Sequence, residues 1–132
     1  YMSEIYKKSN VRGIRGATTI ESNKSELIKE ATKELLEKMV QDNNISTEDI
    51  AAVFFTTTPD ISDEFPAVAA REMGWDTVPL ICGHEMSVPH GLEKCLRILI
   101  MWNTEVKQKE IRHPYLRNAK SLRKSDNDFE AT

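Results

Sequence analysis

Arg97 is the residue whose position points most directly to chemistry. It lies between Leu96 and Ile98, inside the most apolar stretch of the chain. A guanidinium cannot shed its charge, so if it is buried it needs an anionic partner or a bound anion. A simpler interpretation places it at a strand end, facing solvent or paired with a glutamate. The spacing alone leaves both interpretations open.

Arg15 raises a similar question, because it lies in the run Arg12-Gly13-Ile14-Arg15-Gly16. Glycines on both sides of an arginine let a ligand or another backbone approach closely. A surface strand that carries two arginines explains the run about as well. The motif is therefore a weak indication of an anion site.

Other side chains could contribute to a site, but each has an ordinary explanation. Glu85 follows a predicted strand, where loops often carry function, although a solvated loop carboxylate is the simpler interpretation. Cys82 is typical of a small core residue, and no neighbouring group makes it a nucleophile. Tyr115 fits an interface or a cap, and Phe65 fits a core. The sequence contains no phosphate-binding loop, no Ser-His-Asp order and no paired-carboxylate motif.

The composition is typical of one globular domain and excludes several classes of partner. The chain has 132 residues, of which 39% are hydrophobic and 30% charged. Its net charge of -3 provides no overall basic field for nucleic acid. No apolar run of the sequence, residues 98–102 included, is long enough to cross a membrane.

The cysteines and histidines indicate a reducing compartment and no metal. Cys82 and Cys95 form neither a CxxC motif nor a disulfide framework, and residues 1–10 lack the apolar region of a signal peptide. We therefore expect a cytoplasmic protein. The three histidines lack a metal-ligand spacing, so we expect no metal and no cofactor.

The order of predicted elements is β-α-β-α-β-β. Strands are predicted over residues 11–20, 51–58 and 77–82, and helices over a segment that Asn23 and Glu26 cap and over residues 65–73. Residues 46–49 should form a short helical turn, and Pro114 should open another. Residues 92–103 suit either a helix or a strand, and the β-rich context favours a strand.

This order predicts an α+β fold in which helices cover one face of a mixed sheet. The other face is then left apolar, and oligomerisation is the simplest way to cover it. Residues 1–10 are predicted to be a flexible leader, residues 11–123 a single domain and residues 124–132 a mobile tail.

A series of short motifs runs along most of the chain. It begins with Arg12-Gly13-Ile14-Arg15-Gly16-Ala17-Thr18-Thr19 and closes with Ile111-Arg112-His113 and Tyr115-Leu116. Between these lie Thr58-Pro59-Asp60, Phe65-Pro66-Ala67, Ala70-Arg71-Glu72, Gly74-Trp75, Val78-Pro79, Cys82, Glu85-Met86, Gly91-Leu92, Lys94-Cys95 and Arg97. The set spans about residues 11–123, nearly the whole chain, and its order resembles that of the monofunctional trimeric chorismate mutases, the small α/β type that packs into a barrel-like trimer.

The resemblance implies a ferredoxin-like α+β chain, three copies of which form a pseudo α/β barrel with active sites between subunits. It also implies that residues 92–103 are a strand. The family's catalytic positions fall on Arg97, Glu85 and Arg15, and its substrate-binding positions fall on Tyr115, Cys82, Phe65, Arg71 and Arg123. Val68 and Ile81 depart from the family, where a lysine and a threonine can stand.

The implied reaction is the rearrangement of chorismate to prephenate in phenylalanine and tyrosine biosynthesis. It needs no nucleophile, no proton transfer and no cofactor, which agrees with the motifs that the sequence lacks. Two alternatives stay open: a trimeric imine deaminase of similar fold, and a non-catalytic trimer that binds an aromatic acid as a regulator.

Overall fold

A computed structural model of the chain, which describes residues 9–123, contains one mixed four-stranded sheet. The strands are β1 (Asn10–Thr19), β2 (Ile50–Thr57), β3 (Leu80–His84) and β4 (Cys95–Thr104), in the spatial order β1-β4-β2-β3. β4 is antiparallel to β1 and to β2, whereas β2 and β3 are parallel. The predicted strand within residues 92–103 is confirmed. β3 begins later than predicted, because Pro79 has no N–H for the ladder and only its carbonyl is used, by Val53. It extends further than predicted, because its pairing with β2 continues to His84.

Two helices, α1 (Ser25–Asn43) and α2 (Ala67–Glu72), cover one face of this sheet. The α1 side chains Leu35, Leu36 and Met39 are fully buried against the sheet. Gly16 allows this close approach, since a Cβ there would lie 2.6 Å from the Met39 sulfur. The main core consists of the buried residues Ile14, Leu35, Leu36, Met39, Ile45, Ile50, Val53, Phe55, Ala67, Ala70, Trp75, Val78, Leu96, Ile98, Ile100, Trp102 and Ile111. The predicted α+β fold with helices on one face is confirmed.

The opposite face of the sheet, which we call the open face, carries no helix in the part of the chain that the structure describes. Phe54 is 43% exposed there and Ile81 is 59% exposed. Leu99 and Met101 of β4 lie on the same face and are half-buried. A row of apolar side chains on an uncovered sheet face is typical of an interaction surface.

The N-terminus of α1 is capped differently from the prediction. Asn23 and Glu26 were expected to form the cap, but the residue at the N-cap is Lys24, which makes no side-chain cap bond. Asn23 instead accepts hydrogen bonds from the backbone N–H groups of Ser62 and Asp63, each at 2.9 Å. The Asp63 carboxylate accepts the Ser25 N–H at 2.8 Å, so the loop before α2 caps the helix.

The segment after β4 also departs from the prediction. The short turn over residues 46–49 is confirmed as a 3₁₀ turn at Thr47–Asp49, but Pro114 opens no helical turn. Residues 114–116 are extended along β1, where the Ala17 N–H donates to the Pro114 carbonyl at 3.1 Å. The 3₁₀ turns of this region lie at Gln108–Glu110 and Arg117–Leu122. None of the helices within residues 9–123 is long and apolar enough to span a membrane. The predicted leader, apart from residues 9 and 10, and the predicted tail, residues 124–132, lie outside the described residues.

Candidate active site

Arg97 lies at the centre of the open face. It is on the interior strand β4, where its register partners are Ala17 on β1 and Thr56 on β2. Its side chain is 39% exposed, and its Nε lies 3.7 Å from Oε2 of Glu85. This separation exceeds the range of an N–H···O hydrogen bond. The charges therefore attract each other without forming a closed pair.

Glu85 is held by two neighbouring residues of β2. Its backbone N–H donates to the Thr57 carbonyl at 2.7 Å, which extends the pairing of β2 with β3 by one residue. Its Oε2 accepts a hydrogen bond from the Thr56 hydroxyl at 2.6 Å. Thr56 was not singled out from the sequence. The alternation along β2, which buries Phe55, was the available signal that Thr56 faces the other way.

Arg15 lies on the same face, diagonally from Arg97. Arg15 is the register partner of Leu99, two residues beyond Arg97 on β4. Such diagonal neighbours on an antiparallel pair are about 7–8 Å apart. Long arginine side chains from positions this close can reach one anion that carries more than one oxygen acceptor.

His113, which the sequence marked by its motif and by its lack of a metal-ligand spacing, contacts the backbone of Arg15. Its Nδ1 accepts the Arg15 backbone N–H at 3.0 Å. Burial, with the positive charges of Arg15 and Arg123, lowers the pKa of His113 from 6.5 to about 4. The imidazole is therefore neutral at pH 7 and adds no charge to the site.

Tyr115 and Arg123 complete this group at the edge of the sheet. Tyr115 is the register partner of Ala17, the residue that lies beside Arg97. The guanidinium carbon of Arg123 lies 5.8 Å from the centre of the Tyr115 ring, which is a cation–π distance. We call the group Arg15, Glu85, Arg97, Tyr115 and Arg123 the arginine face. Its three arginines outnumber its one carboxylate, so it suits a polyanionic ligand.

The other three predicted site residues lie on the helix side of the sheet. Cys82 is the register partner of the buried Phe55 and packs against the core. Burial raises the pKa of its thiol, and the Arg71 charge acts in the opposite direction. Phe65, which by default was assigned to a core, is 68% exposed. With Cys82 and His84 it lines a cleft of 410 Å³. We call this the Phe65 cleft; Arg71 is outside its lining but close enough for its charge to act on Cys82.

One chain therefore does not bring the eight predicted residues together. Five lie on the arginine face, and three lie on the opposite side of the sheet. Within residues 9–123, no three His, Cys, Asp or Glu side chains gather into a group that could hold a metal ion. The chemistry that the arginine face offers is charge stabilisation and positioning.

Comparisons with known proteins point to one family. The chain matches the family model for chorismate mutase type I over residues 11–126. It is 50% identical over 114 residues to chorismate mutase AroH of Thermus thermophilus, which covers 86% of this chain and 93% of the relative. It is 46% identical over 114 residues to chorismate mutase AroH of Bacillus subtilis, covering 86% of this chain and 90% of the relative. A solved chorismate mutase from Clostridium thermocellum matches with a TM-score of 0.82 at 44% identity, covering 83% of this chain and 98% of that one.

Proposed function

This chain belongs to the chorismate mutase type I family, and on that premise we propose that its arginine face converts chorismate to prephenate. The reaction breaks the ether C–O bond as a C–C bond forms, in one concerted step within aromatic amino acid biosynthesis. A protein accelerates such a step by holding the compact conformer and by stabilising the charge that develops. The observation that carries the proposal is the Arg97 guanidinium, half-exposed on the open face and 3.7 Å from Glu85.

The roles follow from where negative and positive charge develop. Negative charge grows on the ether oxygen, and we assign Arg97 to donate to it. Arg15 and Tyr115 hold the enolpyruvyl carboxylate. Glu85 meets the ring hydroxyl and the ring, which gains positive character. Glu85 is fixed before the substrate arrives, by the Thr56 hydroxyl and the Thr57 carbonyl, so little reorganisation of this group accompanies the reaction.

We propose a homotrimer in which each site lies between two chains. Two features support this arrangement. The arginine face and the Phe65 cleft lie on opposite sides of one sheet, so only two different chains can present both to one substrate. The open face also exposes Phe54 and Ile81, which a neighbouring chain would cover.

Complementation tests this shared site directly. We choose Arg97→Ala to disable the arginine face and Phe65→Asp to place a repelling carboxylate in the cleft. Phe65 is exposed, so its replacement should not disturb the fold. Each variant alone should be nearly inactive. When the two are unfolded together and refolded as an equal mixture, about a quarter of the sites should contain two intact halves. A mixture as inactive as its components would show that the site lies within one chain.

The activity itself is tested by prephenate formation from chorismate on the purified protein. We expect turnover that prolonged chelation leaves unchanged, because arginines supply the electrostatics that a metal could otherwise provide. A large loss that a divalent ion restores would contradict this mechanism. Protein that binds chorismate without forming prephenate would favour the regulator, and imino-acid turnover would favour the deaminase. The relatives reported above are all chorismate mutases, so neither alternative gains support.

We propose the cytoplasm as the location of the protein. Cys82 and Cys95 are both free thiols, and they lie on opposite faces of the sheet. Free cysteines that cannot reach each other are typical of a reducing compartment.

A further inference from the structure

Thr56 makes a short polar contact with Glu85 of the arginine face. Its hydroxyl donates to Glu85 Oε2 at 2.6 Å, within the range of a charge-assisted O–H···O⁻ bond. The same oxygen lies 3.7 Å from Arg97 Nε. A carboxylate next to a guanidinium ordinarily closes into a direct, often bidentate pair. Here the carboxylate is bonded to the hydroxyl instead.

The backbone explains how Thr56 can do this. Thr56 and Arg97 are register partners on β2 and β4, so their side chains leave the same face of the sheet side by side. Glu85 is fixed from the other direction, because its N–H donates to the carbonyl of Thr57, the next residue along β2. Glu85 is thus fixed at its backbone by Thr57 and at its carboxylate by the Thr56 hydroxyl, which lies beside Arg97.

We propose that Thr56 is a positioning residue, which holds the Glu85 carboxylate off Arg97 and so leaves the guanidinium donors available to the substrate. This inference rests on the proposed function of Arg97 and Glu85. Without the hydroxyl, Glu85 closes on Arg97 and takes up donors that the breaking ether bond needs. The loss falls on the transition state more than on substrate binding, so it lowers kcat more than it raises KM.

The test compares two substitutions at this position. Thr56→Val keeps the size and β-branching but removes the hydroxyl, and we expect kcat to fall about tenfold with little change in KM. Thr56→Ser restores the hydroxyl and should return kcat to within about twofold of the wild type. Thr104→Val makes the same change at the far end of β4, where the hydroxyl accepts the Val106 N–H, and should leave kcat unchanged. If the valine variant does not fold, Thr56→Ala takes its place.

A double-mutant cycle with Glu85→Ala separates positioning from a general structural effect. If Thr56 acts through Glu85, Thr56→Val should change kcat by less than about twofold once Glu85 is absent. If the Glu85→Ala rate cannot be distinguished from the uncatalysed background, the affinity for a transition-state analogue, measured by calorimetry, replaces kcat in the cycle. The same loss in both backgrounds, or a serine variant as slow as the valine variant, overturns the inference. Unchanged kcat in Thr56→Val with a slow Glu85→Ala overturns only the role of Thr56. A normal Glu85→Ala overturns the proposed role of Glu85 itself.

Discussion

Replacing Arg97 by citrulline removes the charge that we assign to the breaking ether bond, while it keeps the planar shape and most donors. The side chain is 39% exposed, so an effective dielectric constant of about 20 applies to its surroundings. A developing charge of about half an electron, about 3 Å from the guanidinium, is then stabilised by about 2.8 kcal/mol. This corresponds to about a hundredfold in kcat. The loss should exceed this value, because Glu85 keeps its charge and is no longer balanced by Arg97.

The chain makes this experiment practicable. Cys95 lies two residues before Arg97, so native chemical ligation of fragments 1–94 and 95–132 introduces citrulline without other changes. Citrulline at Arg112, in the same fragment, is the matched control and should leave kcat unaffected. We expect kcat for prephenate formation to fall far more than KM rises, with the oligomeric mass unchanged. Near-normal kcat in the Arg97 variant would refute the electrostatic role and leave this arginine as a structural partner of Glu85.

Three further predictions concern stability and assembly. Lowering the pH from 7 to about 4.5 should destabilise the fold by on the order of 2 kcal/mol through His113, because the unfolded imidazole takes up its proton near 6.5 and the folded one only near 4. In His113→Asn, the amide oxygen can still accept the Arg15 N–H, and the free energy of unfolding in urea should depend less on pH than in the wild type. The same pH dependence in both proteins would contradict this. Asp63→Ala should lower the free energy of unfolding by about 1 kcal/mol, because α1 loses its cap; no change would mean that water replaces the carboxylate. Light scattering should give about 45 kDa for the wild type, three times the 15.1 kDa of one chain, and a smaller mass for Phe54→Asp. A wild-type mass of one chain at full activity would exclude the trimer.

Helices and strands could be predicted from the sequence where a local pattern of residues determines them. They were predicted less well where contacts with distant segments determine the structure. The apolar face of α1 and the β-branched run of β2 are local patterns, and both elements form where expected. The prediction that Asn23 caps α1 was wrong, because Asp63, from a loop that is distant in sequence, accepts the Ser25 N–H and also bonds to Asn23. The prediction that Pro114 opens a helical turn was wrong for the same reason, since pairing with β1 keeps that segment extended.

The candidate site shows the same division. The motifs predicted that Cys82 and Glu85 belong to one site. Because side chains alternate along an extended strand and these two residues are an odd number of positions apart, they point to opposite faces of the sheet. Thr56 could not be found from its residue type, because its importance depends on the register that places it beside Arg97. Periodicity sets which face a strand residue occupies, but it does not set its partner on the next strand.

The position of β4 in the sheet has a consequence for how the chain folds during synthesis. The last strand to leave the ribosome is an interior one, since β4 pairs with β1 on one side and with β2 on the other. Until then β1 and β2 each keep an unpaired edge for several seconds at ordinary rates of translation. Such edges pair readily with other chains. Nascent chains that stop before β4 are therefore the species most prone to aggregation, and they are the ones on which chaperones should act.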